Sequence, residues 1–327
     1  MAEKINKKSL VTRASMLLFG IGLAVVYWAI ESFMNIFLTP DANFFRHLIG
    51  TDIYNIYSRI IILCLFFIFG SHVQYTINKR RESEKKLQSY RAATILGLAK
   101  LAEYRDQNTG SHLERIREYS RVIAEEMAKK PGFAKYITDD YIEDIFNSSI
   151  LHDIGKVGIP DAILQKPSNL TSDEFEVMKT HATLGGEAIE AIENRTEGQS
   201  FLTIGKEIAY HHHEKWDGSG YPDGFKEKSI PLSARIIALA DVYDALTSKR
   251  AYKEAFVHQD ALDMITRLKR TQFDPDVVDA FLARENEFKD ISISSYPSGT
   301  CNELPVSPSP SPIPAKDHKN TALNQIV

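Results

Sequence analysis

The stretch IEDIFNSSILHDIG, residues 142–155, decides how this chain is read. Ile142 to Leu151 reads as an apolar helix closed by Gly155, yet it ends on two polar, metal-binding side chains, His152 and Asp153. Other helical stripes are interrupted in the same way. Ile116, Tyr119, Ile123 and Met127 form one stripe, and His112 stands four residues before Ile116 on the same face. Met178, Gly185, Ala188 and Ile192 form a second, with His181 three residues after Met178 and four before Gly185. His211, His212 and His213 end a further helix; Asp241 follows the apolar segment Ile236 to Ala240, and Asp244 lies three residues on, on nearly the same face. Between about 88 and 290 there is no sustained period-two alternation and no Gly-x-Gly-x-x-Gly loop after a strand, so the expectation is an all-α bundle. Turn signals break it at Gly155 to Pro160, Lys166-Pro167-Ser168 and Trp216 to Pro231.

Taken singly, an inward His is more often a hydrogen-bonded core residue than a ligand, a buried Asp is often a cap, and a His run is often surface polarity. Taken together, this many polar groups in one small helical core are costly to bury unless something pairs them. Imidazole and carboxylate suit first-row divalent ions, and no cysteine is placed to make a structural zinc cluster. His112, His152, Asp153 and Asp241 would supply four ligands to one ion; His181, His212 and His213, with Asp153 bridging, would supply four to a second. Ions spaced about 3.5–4 Å apart form a clamp for in-line attack on a phosphodiester, with room for a shared water and substrate oxygens.

Composition narrows the classes. The 327 residues carry 39 Lys and Arg against 43 Asp and Glu, a formal charge of −4, which argues against a nucleic-acid polymer as partner. Cys64 and Cys301, one in an apolar run and one in a Pro/Ser-rich tail, make no disulfide framework. Ala14 to Ile30 lacks any charge and the run continues to Leu38; a second apolar run spans Ile60 to Val73 and reaches spanning length only with Ile53 to Arg59. Lys4, Lys7, Lys8 and Arg13 precede the first run, and Lys79, Arg80, Arg81, Lys85 and Lys86 follow the second, with only Arg46 and Arg59 between. The expectation is a transmembrane helical hairpin, helices at about 14–38 and 53–76, with both ends at the cytoplasmic face of an inner membrane. The alternative is a cleaved signal peptide followed by a buried core helix. Expected boundaries are a hairpin at 1–73, a connector helix at 74–97, a helical domain at 98–290 and a disordered Pro/Ser-rich tail at 291–327.

A family resemblance sharpens this. His152-Asp153-Ile154-Gly155-Lys156 resembles the signature of HD-domain phosphohydrolases. His212-His213-Glu214 followed by Asp217-Gly218-Ser219-Gly220-Tyr221-Pro222 resembles the HHE and GYP motifs of the HD-GYP subfamily, and the likeness runs from about Leu98 to Phe281. The resemblance implies an HD-superfamily helical bundle with a GYP loop and cyclic di-GMP phosphodiesterase activity, giving pGpG and often GMP. By motif position the metal ligands are His112, His152, Asp153, His181, His212, His213 and Asp241, with Asp153 and Lys156 the catalytic pair. Lys156, Tyr221, Arg250 and Lys253 match substrate-binding positions, and Asp244 is expected to hydrogen-bond a ligand. Iron or manganese is the implied metal.

Two departures stand out. Some members carry Glu four residues before the first metal His, where it helps bind a third ion; here Asn108 leads to an expectation of two ions. Ala251 stands where Pro is usual. The expected partners are the cyclic dinucleotide, the membrane, a second copy through the connector, and GGDEF-type cyclases or adaptor proteins at the GYP loop. A catalytically silent docking module and a phosphohydrolase of another nucleotide are the competing readings.

Overall fold

The computed structural model describes residues 18–34, 53–105, 111–195, 201–248 and 255–294. Asn108, Thr109, Gly110, Arg250, Ala251, Lys253 and the Pro/Ser-rich segment lie outside the described residues. The chain divides into two units, Met1–Arg91 and Ala92–Val327.

In the first unit, α1 (Leu18–Met34) runs antiparallel to the start of α2 (Ile53–Glu103). Gly20 permits the approach: a Cβ there would stand 2.8 Å from the Phe66 carbonyl oxygen. At the other end Arg59 pairs with Glu31 at 3.1 Å, donates to Ser32 Oγ and lies over Trp28. Phe19, Val25, Phe33, Ile61, Leu65 and Phe69 are all exposed, an apolar surface of the kind that needs a non-aqueous neighbour. Among the described residues one helix, α2, is long and apolar enough to cross a membrane; α1 is described over 17 residues. The second apolar run and the polar stretch after it belong to one helix: α2 runs unbroken over 51 residues, because nothing between Val73 and Leu98 interrupts it with proline.

The second unit is helical, and its described residues contain no strand, only the bridge Lys269–Phe273. After α2 come α3 (His112–Ala128), α4 (Asp139–Ser148), α5 (Asp161–Leu164), α6 (Ser172–Glu193), α7 (Phe201–His211), α8 (Leu232–Thr247), α9 (His258–Arg267), α10 (Pro275–Ala283) and α11 (Glu285–Ser294). The last helix thus extends past the boundary expected at 290. α8 is central: Ile236, Ile237, Leu239, Ala240 and Tyr243 are fully buried, the pattern of a helix packed on all sides. Around it stand Ile116, Ile123 and Met127 of α3, Ile145 of α4, Ile208 of α7 and Phe281 of α10. Each such side chain contributes about 1.5–3 kcal/mol by leaving water. A smaller cluster joins Ala99, Leu113, Ile150, Leu151, Ile189 and Ala209.

Two local departures position the site. The helix expected over Ile142 to Leu151 starts earlier, capped by Thr138 Oγ1 accepting from the Tyr141 N–H, and ends at Ser148. Two 3-10 turns follow, Ser149–Leu151 and Ile154–Gly158, with His152 and Asp153 between them. The second departure corrects the stripe on α6. Its buried face is His181, Ala182, Gly185, Gly186 and Ile189, whereas Ala188 and Ile192 are exposed. Small residues define that face because neighbours approach the helix backbone itself. Gly155 lies so close that a Cβ there would meet the His181 carbonyl at 1.9 Å and Gly185 N at 2.5 Å.

Both obstacles are backbone, so Gly155→Ala must part the turn from α6. We expect it to lower the unfolding free energy by about 1–3 kcal/mol, read as a lower thermal midpoint of the full chain in detergent. An unchanged midpoint would refute this packing.

Candidate metal centre

Six segments deliver the polar groups. His112 opens α3, His152 and Asp153 sit between the 3-10 turns, and Lys156 belongs to the second turn. His181 comes from α6, His212 and His213 follow α7, and Asp241 and Asp244 lie on α8. Ligand atoms of His112, His152 and Asp241 all lie within 4.8 Å of one another, as do those of Asp153, His181, His212 and His213.

Asp153 faces both groups. Its Oδ1 is 3.3 Å from His181 Nε2 and 3.7 Å from His212 Nε2, while Oδ2 is 3.3 Å from His152 Nε2 and 2.8 Å from Lys156 Nζ. On the other side His112 Nε2 is 3.7 Å from Asp241 Oδ1.

The histidines are oriented from behind. His152 Nδ1–H donates to the Ser149 carbonyl at 2.9 Å, His181 Nδ1–H to Met178 at 2.7 Å, and His212 Nδ1–H to Ile208 at 3.0 Å. His112 Nδ1–H donates to Asp244 Oδ2 at 2.7 Å. A carbonyl can only accept, so the His152, His181 and His212 rings each keep a proton on Nδ1 and turn Nε2 inward, where His152 can take up a second proton beside Asp153. His181 Nε2 and His212 Nε2 consequently face each other at 3.5 Å. Two lone pairs at that separation repel unless a cation or proton lies between them. His152 Nε2 and Asp153 Oδ1 are buried without a hydrogen-bond partner. Orphaned donors of this chemistry fit divalent metal, and the clusters could hold it.

The electrostatics agree. Burial works against a charged Asp153, yet Lys156 and His152 hold its carboxyl well below the usual range. Burial also opposes protonation of His152, but Asp153 carries its pKa up to about 9. His181 is held down to about 4 by burial, against the pull of Asp153, and His213 is lowered too, by burial and then His212. Asp244 is drawn to about 2 despite burial, because Arg115 and His112 donate to it.

Tyr221 covers the second group. Its ring stacks on His213 at 4.8 Å between centroids and meets His181 edge-on at 6.4 Å. The loop behind it is pinned: Glu214 Oε1 accepts from the Asp223 and Gly224 N–H groups, and the Trp216 and Asp217 N–H groups donate to Gln272 and Thr271 carbonyls.

Three further residues belong to the site without a signal of that kind in the chain. Arg115, buried at 3% exposure, clamps Asp244 through Nε at 2.5 Å and Nη2 at 2.8 Å and also donates to Ser248. It sits three residues after His112, a spacing that marked the face but not a buried charge. Glu103 ends α2 with Oε1 buried, unpartnered and 3.7 Å from His112 Nε2. Lys179 lies over the Tyr221 ring at 5.7 Å. No local pattern points to the last two.

A family described as HD domain matches residues 98–277, more than half the chain. The chain belongs to the HD-domain family. Its ordered His212-His213-Glu214 and Gly220-Tyr221-Pro222 motifs place this HD domain in the HD-GYP branch. A "Cyclic di-GMP phosphodiesterase" of Vibrio cholerae is 48% identical over 63% of this chain and 42% of its own length. A protein of the same description from Thermotoga maritima is 44% identical over 58% of this chain and 48% of its own. A "3'3'-cGAMP-specific phosphodiesterase 2" of Vibrio cholerae is 38% identical over 64% of this chain and 36% of its own. The chain spans about half the length of the curated relatives it matches.

The raised pKa of His152, with His112 raised beside it, would make uptake of a divalent ion depend on pH. A proton held with a pKa of about 9 competes with any ion for Nε2, whereas His181 and His213 are already neutral at pH 7. Affinity for a divalent ion should rise about tenfold per pH unit from 7 and level off above 9. Titration calorimetry in buffers of different ionisation enthalpy should show at least about one proton released per chain at pH 7.5, from His152 and from His112, which is raised as well; none released would contradict the assignment.

Proposed function

We propose that the chain is a membrane-anchored, metal-dependent phosphodiesterase that hydrolyses cyclic di-GMP to pGpG or GMP, with its HD domain at the cytoplasmic face. The single observation that carries the reading is Asp153, one carboxylate oxygen turned to each set of imidazoles. His112, His152, Asp153 and Asp241 would hold one divalent ion, and His181, His212, His213 and Asp153 a second, iron or manganese by family resemblance. When bound, such a pair lowers the pKa of water and neutralises non-bridging phosphate oxygens.

The chain's own groups do the rest. Lys156, 2.8 Å from Asp153, offers an ammonium that can turn to a phosphate oxygen as negative charge builds there. Tyr221 walls the His213 side and presents an apolar ring where a guanine can stack. Asp244, fixed by Arg115, holds the His112 ring in the tautomer that aims Nε2 inward. Arg250 and Lys253 would take the substrate phosphates.

A second reading, hydrolysis of a mixed cyclic dinucleotide, is favoured by the relative specific for 3'3'-cGAMP. Purify the full chain anaerobically in detergent and count metal per chain while following both nucleotides. We expect two ions, release of pGpG or GMP from cyclic di-GMP, and a loss of at least 10³-fold in Asp153→Ala. Normal turnover by Asp153→Ala would sink the two-ion mechanism. Preferential loss of the mixed nucleotide would favour the second reading, and binding without cleavage a docking module, with cyclases or adaptors as partners of the Tyr221 loop.

The anchor rests on the apolar surface of α1 and α2 and on the basic flank from Lys79 to Lys86. The chain should stay with membranes after an alkaline carbonate wash and leave them only in detergent; release by carbonate would overturn the anchor. A second copy is expected to pair along α2.

A further inference from the structure

Outside the two imidazole sets, His211, Glu214 and Asp223 bring one ligand atom each to within 4.8 Å of one another. Glu214 is 3% exposed and uses Oε1 to shape the loop, accepting from Asp223 N at 2.8 Å and Gly224 N at 3.0 Å. That role leaves Oε2 unexplained: it is buried and has no hydrogen-bond partner. His211 Nδ1 is buried without one as well, 3.5 Å from Asp223 Oδ2. Two orphaned atoms in one place are costly unless something binds both. The Asp223 side chain is 49% exposed, so the spot opens to solvent on that side and waters can complete a coordination shell.

We propose that His211, Glu214 and Asp223 form a peripheral divalent-cation site, separate from the paired centre, that clamps the Tyr221 loop to the end of α7. One imidazole with two carboxylates suits zinc or another borderline ion; calcium and magnesium prefer shells of oxygen alone. The separation of His211 Nδ1 from Asp223 Oδ2 is that of two ligands flanking one ion at about 2.1 Å. Asp223 lies two residues after Tyr221, whose ring rests on His213, so an ion here would hold that ring over the centre. The clamp deepens the proposed activity, but its metal count can be read without turnover.

The test saturates the full chain in detergent with zinc and counts bound equivalents after removal of loose metal. Wild type should hold one equivalent more than Asp223→Ala and His211→Phe; the latter keeps the ring packed on Phe225. Zinc should also slow tryptic cleavage at the exposed Lys226 and Lys228 several-fold in wild type and not in the variants. Equal zinc content in wild type and both variants would overturn the site. Loss of an equivalent in Asp223→Ala but none in Asp153→Ala would leave the peripheral site standing and remove the paired centre.

Discussion

The structure depends on one arrangement: the Asp153 carboxylate lies between two groups of imidazoles, with Nε2 of His152, His181 and His212 turned toward it. Left alone, that arrangement is unstable electrostatically. His181 and His212 face each other as acceptors, and the buried carboxylate draws protons onto His152 to compensate. A polypeptide maintains such a cluster only if its scaffold is rigid and something positive enters it. The buried Arg115–Asp244–His112 chain provides part of that rigidity. A guanidinium buried so deeply needs both carboxylate oxygens, and in meeting that need Asp244 also fixes the first histidine of the centre.

The fold presents this centre by interrupting regular structure where the chemistry is. α4 gives way to 3-10 turns at His152 and Asp153, α7 ends just before His212, and His112 opens α3. Helix ends let side chains converge from several directions, while apolar faces behind them hold the backbone in place. α2 contributes one more group from its C-terminal end. It is one helix from the apolar segment at Ile53 to Glu103, whose buried oxygen faces His112.

Most of the helical content is legible in the chain, and so are the seven residues that the structure gathers into two groups, because polar groups interrupt apolar periodicity there. The face of α6 was misread through Ala188 and Ile192, since that helix packs through glycine at 185 and 186 against backbone and the Tyr210 ring. Hydropathy records what side chains avoid water; it does not register the place where a missing side chain admits a neighbour. Arg115 and Glu103 were missed for a related reason: a buried charge looks like a surface charge until its partner, 129 residues away for Arg115 and Asp244, is known.

Residue identity and spacing alone determined the chemistry: imidazoles and carboxylates on inward faces, a lysine three residues after the aspartate, and glycines and proline around Tyr221. Local hydrogen bonding and helical periodicity encode those properties within a few residues, so they can be read one segment at a time. Only the tertiary structure decided which of these side chains gather into one group, which nitrogen the carbonyl-bonded rings turn inward, and that His211, Glu214 and Asp223 meet one another. Those outcomes depend on distances between segments remote in sequence, and packing of whole helices sets such distances.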